Sequence, residues 1–326
     1  MKRLYPLLLG LTALAAGASF AAPPGDGPSF PLSLTRGSRL MIDARINGRP
    51  VTALLDSAAE ATILDREFAH ELKLDHGQTV AGQGSGAASF EATLVEGVTL
   101  EALGLTLKDQ TVAVADLGDV GRRLLGRRID VILGREIFDA ARLAIDVDGR
   151  RITVVGRDGE PRGTRLALTT EHGVETIPVQ VESSEPVRAT FDLGNGSEVL
   201  VGSALAARLR LLDDGRRVTA DRGGGLGGEE SRQLVTLRSI EIAGRRFADV
   251  PAAIDTHASA SDVNVGVALL RHFRITTDFA EHAVQRDRLQ IVEPVLCEHG
   301  ESVQALSGAR RRAGSSKLGA EIGCNG

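Results

Sequence analysis

The chain has 326 residues and a formal net charge of −5, with 25% of residues charged and 42% hydrophobic. This is a globular balance that excludes a disordered composition, and the length allows two compact domains of roughly 100–200 residues. Nine Phe, one Tyr and no Trp leave few platforms for stacking bases, and the acidic balance disfavours a general grip on phosphate backbones. No nucleic-acid partner is expected.

The chain opens on Met1-Lys2-Arg3, an apolar stretch and small residues at Ser19 and Ala21. These form the pattern of a secretory signal peptide cut after Ala21. Removing Lys2 and Arg3 takes two more positive charges from the mature protein. The expected location is the periplasm or the medium, and no later stretch approaches the roughly 20 apolar residues of a membrane span. Residues 22–38 read as an N-terminal linker. The two cysteines, Cys297 and Cys324, both lie in the polar tail 294–326. In an oxidising compartment they are expected to form a disulfide.

Between the linker and the tail the sequence repeats itself. Val51-Thr-Ala-Leu-Leu-Asp56-Ser-Ala-Ala and Val187-Arg-Ala-Thr-Phe-Asp192-Leu-Gly-Asn are apolar strands that end on an Asp. A short helical pattern follows each, Phe68–Leu74 and Leu205–Leu211. Glycine-rich hairpin signals come next, with Gly82, Gly84 and Gly86 in one half and Gly223, Gly224 and Gly225 in the other. Asp130-Val-Ile-Leu-Gly134 then matches Asp262-Val-Asn-Val-Gly266, and Arg142, Leu143 and Asp146 match Arg274, Ile275 and Asp278. The halves read as 39–156 and 166–293, joined by a linker at 157–165 and closed by the apolar strands Ile152–Val155 and Leu289–Val292. Asn47-Gly48 is a hairpin signal, and Ile240–Phe247 reads as a second hairpin. The fold class is mainly β, with two similar lobes and short helices.

Gly223, Gly225 and Gly228 satisfy a dinucleotide-type glycine spacing, but Glu229–Leu237 reads as a returning strand where that motif needs a helix. The seven histidines lack metal-ligand spacing, and no serine-hydrolase elbow is present. A lone Asp at a strand end is usually a turn former. Two in equivalent places, each with a downstream apolar-Gly element, point to paired carboxylates. Asp130 and Asp262 read as loop-holding residues, and Asp146 and Asp278 as strand-entry residues.

The repeated signature resembles the retropepsin-like aspartic proteases, carried by Leu54-Leu55-Asp56-Ser57-Ala58-Ala59 with Ile132-Leu133-Gly134, and by Phe191-Asp192-Leu193-Gly194 with Asn264-Val265-Gly266. It is similar to the secreted bacterial form in which two such units are fused into a pepsin-like bilobed arrangement. The resemblance implies two closed-barrel lobes about a pseudo-twofold axis, Asp56 and Asp192 as the catalytic pair, and an extended peptide as substrate. It implies no cofactor or metal, and a monomer. It also implies that the glycine-rich hairpins act as flaps over the peptide. Two departures stand out. Ser57 keeps the hydroxyl that braces the two loops in the family, while Leu193 lacks it. Gly194 keeps the glycine next to the carboxylate, while Ala58 replaces it, which at a positive φ would cost about 1 kcal/mol. The alternative reading is a peptide-binding pseudoprotease that uses the same cleft.

Overall fold

The computed structural model describes residues 27–158, 163–171, 173–197, 199–255 and 262–287. The segment read as a signal peptide, Leu289–Val292, Cys297 and Cys324 lie outside the described residues.

The described chain begins with β1 (Ser29–Pro31) and β2 (Ser33–Leu34). The first lobe continues through β3 (Leu40–Ile46), β4 (Arg49–Leu55), β5 (Ile63–Asp65), α1 (Arg66–Glu71), β6 (Gln78–Gly82), β7 (Phe90–Ala102) and β8 (Leu105–Ala115). Next come α2 (Gly118–Val120), a π-helical turn at Gly121–Leu125, β9 (Val131–Leu133), α3 (Glu136–Ala140), β10 (Arg142–Asp146) and β11 (Arg151–Val155). The second lobe opens with β12 (Thr164–Ala167), β13 (Thr169–Glu171), β14 (Val174–Val181), β15 (Val187–Phe191) and β16 (Val199–Gly202). It then runs through α4 (Ser203–Arg208), β17 (Thr219–Gly223), β18 (Glu230–Ile242), β19 (Arg245–Asp255), β20 (Val263–Val265), α5 (Val267–Leu270), β21 (Arg274–Asp278) and β22 (Ala283–Asp287).

Each lobe holds a closed six-stranded barrel. In the first, the order β3-β4-β9-β5-β8-β7 closes by pairing β7 back onto β3. In the second, β14-β15-β20-β16-β19-β18 closes by pairing β18 onto β14. Alternation drives the packing. Along β3 the side chains of Leu40, Ile42, Ala44 and Ile46 are all buried, as expected for a strand with one face on the core. Asn47 and Gly48 turn the chain into β4 with φ of 49° and 79°, the positive pair required by a two-residue hairpin loop. Ala243 and Gly244 do the same between β18 and β19, with φ of 52° and 74°. In α1, the capping Asp65 accepts from the Glu67 N–H, and Phe68 and Ala69 are buried.

A third sheet, ordered β1-β11-β10-β21-β22-β12, joins the lobes. Its central pairing sets Leu143 opposite Thr277, Ala144 opposite Thr276 and Ile145 opposite Ile275. Exchanging each residue for its counterpart 132 positions away reproduces this register, so the pairing is itself twofold. Phe138 and Phe279 stack behind it with centroids 5.0 Å apart, and the buried Arg142 Nε donates to Asp278 Oδ2 at 2.8 Å.

Two sequence readings need correction. Residues 29–34 are not linker, because β1 pairs with β11 and β2 with β3. Thr164 and Arg165, assigned to the inter-lobe linker, are already in β12, paired with β22. The last described strand of the second lobe, β22, matches β11 at the same 132-residue offset. The glycine run does lead into a strand, β18, and not a helix. Among the described residues no helix is long and apolar enough to cross a membrane.

Candidate active site

The site is built by one local arrangement used twice. The end of β4 lies parallel to β9, with Leu54 opposite Ile132 and Leu55 opposite Leu133. The end of β15 lies parallel to β20 in the same way, with Phe191 opposite Val265. The residue that follows each strand is an Asp whose own N–H still bonds the neighbouring strand. Asp56 donates to Leu133 O at 2.9 Å and Asp192 to Val265 O at 3.1 Å. Beyond each Asp the loop is held by the residue after Gly134 or Gly266 of its own lobe. Arg135 N–H donates to Ala59 O at 3.0 Å, and Val267 N–H to Asn195 O at 2.7 Å.

These loops meet between the lobes. A β-carbon on Gly194 would lie 2.3 Å from the Asp56 carboxyl carbon, while the Gly194 N–H donates to Asp192 Oδ1 at 2.8 Å. One glycine thus lies against both carboxyls, and any larger residue there would displace Asp56. On the other side, Ala58 N–H donates to Asp56 Oδ1 at 2.9 Å. Ala58 does not take a positive φ, so the strain expected from replacing glycine is absent.

The brace between the loops is half present. Ser57 Oγ donates to Phe191 O at 2.7 Å and accepts from Leu193 N–H at 2.9 Å, all of it buried. Leu193 is fully buried and belongs to the apolar core, so its side chain offers packing where the other loop offers a hydroxyl.

The two carboxyls are not equivalent. Asp192 accepts from Gly194 N–H, from Asn195 N–H at 2.8 Å, and from Asn264 Nδ2 at 2.6 Å. The Asn264 amide is oriented by a relay that starts at the backbone. Ser197 N–H donates to Asn195 Oδ1 at 3.0 Å, which leaves Asn195 Nδ2 to donate to Asn264 Oδ1 at 2.8 Å and turns Asn264 Nδ2 toward Asp192. The counterpart of Asn264 in the first lobe is Ile132, which has no donor. Burial pushes Asp56 up to about 7, reinforced by the Asp192 charge and opposed by the Ala58 and Ala59 N–H groups and by Arg39. Burial also raises Asp192, opposed first by Asn264 and then by the two backbone donors and Arg39. The Asn264–Asn195 relay and Arg39 were missed at the sequence level. The available signal was a lone Asn between Val263 and Val265 in an otherwise apolar element.

The glycine-rich hairpins are β6–β7 and β17–β18, and their tips meet. Gly86 N–H donates to Leu226 O at 2.8 Å and Ala88 N–H to Gly227 O at 2.9 Å. The approach is close enough that a β-carbon on Gly84 would lie 2.5 Å from Leu226 O, and one on Gly225 would lie 2.4 Å from Ser85 Oγ. Gly224 turns the second tip with φ of 98°. Gly82 and Gly223 end the rising strands, where a β-carbon would meet the side chains of Phe90 and Arg232. Asp130 and Asp262 do hold loops, since their carbonyls accept from Asp65 and Gly202 N–H.

Comparison with curated proteins yields no significant match. The model of a single family, described as aspartyl protease, matches residues 42–137 and again 177–268, once over each barrel and over more than half of the chain. With two copies of the family unit fused in one polypeptide, the chain belongs to the aspartyl protease family.

Proposed function

We propose that the protein is an endopeptidase that hydrolyses extended peptides with one water activated between Asp56 and Asp192. The observation that carries this reading is the shared site itself: two carboxyls from repeated loops, in contact through Gly194. Two like charges so placed cannot both ionise cheaply, so the pair holds one proton and titrates as a unit. The surroundings support one arrangement. Asp192, with three N–H donors, is the ionised member, and Asp56, pushed up to about 7, is the protonated one.

Asp192 then takes a proton from water as its oxygen attacks the scissile carbonyl carbon, while Asp56 gives its proton to the carbonyl oxygen. Collapse of the resulting diol returns a proton from Asp192 to the amide nitrogen and one hydroxyl proton to Asp56. The C–N bond breaks and the pair is restored. The Ser57 brace keeps both loops in register during this exchange, and the flap tips supply backbone groups to the bound strand. We further propose that the N-terminal 21 residues direct secretion and that the protein acts in the periplasm or the medium as a monomer, because one chain supplies both carboxyls.

The test is cleavage of an unbiased peptide mixture by the chain from Ala22 between pH 3 and 8, beside folded Asp56→Asn and Asp192→Asn. Each variant is expected to lose at least about a hundredfold in rate. Folded wild-type protein that cuts nothing but still binds peptides would replace this reading with a non-cleaving binder.

A further inference from the structure

The second flap carries one large apolar side chain in the run Gly223-Gly-Gly-Leu226-Gly-Gly228. The first flap, Gln83-Gly-Ser-Gly-Ala-Ala-Ser89, carries none. Among the described residues, Leu226 is not one of the side chains packed against the main core. It packs on a separate apolar cluster of the first lobe that includes Met41, Leu54, Val120 and Ile132, with Ala59 and Leu124 at its margin. This cluster is on the site side of the sheet. Leu54 and Asp56 are two residues apart at the end of one strand and so share a face, whereas Leu55 and Leu133 point the other way into the main core. On the peptidase reading, a substrate side chain flanking the scissile bond lies against this wall beside Asp56.

Leu226 is also held there from the first lobe. Arg123, on the π-helical turn, donates from Nη1 to Gly224 O at 3.1 Å and from Nη2 to Gly225 O at 2.9 Å. Its Nε is occupied by Asp119 at 2.8 Å, which fixes the fork. Arg232 Nη2 of the second flap reaches Ser85 O of the first at 3.1 Å.

We infer that Leu226 is a built-in occupant of the aliphatic pocket beside Asp56, latched by Arg123, and that substrates enter by displacing it with a leucine-sized aliphatic side chain. The inference rests on the peptidase reading above. Leu226 is only partly buried, so an incoming side chain that fills the pocket more fully can exchange with it. The pocket is thereby closed to water between turnovers and selective for what can replace a leucine. Arg123 is a positioning residue in this scheme, acting through the carbonyls of Gly224 and Gly225.

Two measurements on the mature chain test it. The first is methyl NMR with NOEs from Leu226 to Leu54 and Ile132, the Leu226 signals being assigned by their absence in Leu226→Ala. The NOEs are expected in the free protein, weaker in Arg123→Gln, retained in Arg123→Lys, and lost on adding a non-cleavable statine peptide with an isobutyl side chain. The second is hydrolysis of peptides that differ only in having Leu, Ala or Asp before the scissile bond. Leu226→Ala is expected to lower KM for the Leu peptide roughly threefold or more with kcat little changed, because the competing closed state no longer holds back binding. A raised KM would make Leu226 a wall that grips substrate and would overturn the proposal. Binding of the statine peptide with the NOEs intact would also overturn it, while leaving the peptidase reading standing. Wild-type protein that neither cuts nor binds peptide would sink the peptidase reading and the displacement with it.

Discussion

Replacing Asn264 by isoleucine, the residue at its counterpart position 132, removes the 2.6 Å amide bond to Asp192 without opening the strand pairing. A hydrogen bond to a charged group is worth about 1.5–3 kcal/mol, so the acidic limb of the pH–rate profile is expected to move up by about one to two units; an unmoved limb would show that Asn264 does not set the charge of Asp192. Asp56 gives a complementary stability prediction. Its folded pKa is raised to about 7 from 3.8, so the folded state holds this proton more tightly than the unfolded state. Its contribution is fully present below about pH 4 and is lost as pH rises to about 7. Asp56→Asn removes that loss, and thermal melts are expected to show the variant several degrees more stable than wild type at pH 8, with the gap closing by pH 4. The two Asp positions were legible because both halves state them in the same local words. Asn264 was not, because its partner is 72 residues away and its place in the repeat is an apolar one.

At the scale of elements, the loop brace and the flaps follow different logics. Ser57→Ala takes the donor from Phe191 O and the acceptor from Leu193 N–H, both buried between the two loops. The expected cost is about 1–3 kcal/mol in denaturant unfolding, with a fall in kcat larger than the change in KM because the carboxyls lose register. An unchanged kcat would mean that Leu193 packing alone suffices. The hairpins were readable from Asn47-Gly48 and from the glycine runs, since these turns admit few other residues. The π-helical turn that carries Arg123 was not readable. Gly121–Leu125 is too short to show a period, and its role depends on a flap about a hundred residues further along the chain. The strands β1 and β2 escaped for a related reason. They are three and two residues long, lie among prolines, and exist only because β11 and β3 offer open edges.

At the scale of the whole molecule, the six-stranded sheet between the barrels keeps the two carboxyls in one place. Arg142 and Asp278 are buried across its centre, and Asp278→Ala leaves that guanidinium without its carboxylate. Breaking a buried pair from one side costs about 3–5 kcal/mol, so a single unfolding transition is expected to shift strongly to lower denaturant, with loss of activity following loss of fold. A shift confined to one lobe would show that the barrels unfold independently. The bilobed plan was visible in the sequence because its repeat runs from Val51 to Asp278. The twofold register at Ala144 and Thr276 was not, because pairing across an axis leaves no local pattern.

That register has a consequence for what the sequence was free to become. A homodimer assembled from either half would have to carry every side chain twice, once on each side of its axis. A useful amide beside one carboxyl would bring an identical amide beside the other, and a leucine in one flap would face a leucine in its mate. Covalent linkage lifts that requirement. Ile132 can stand opposite Asn264, Ser57 opposite Leu193, and a bare flap opposite Leu226, so each half can specialise in one side of a task that identical halves could only share.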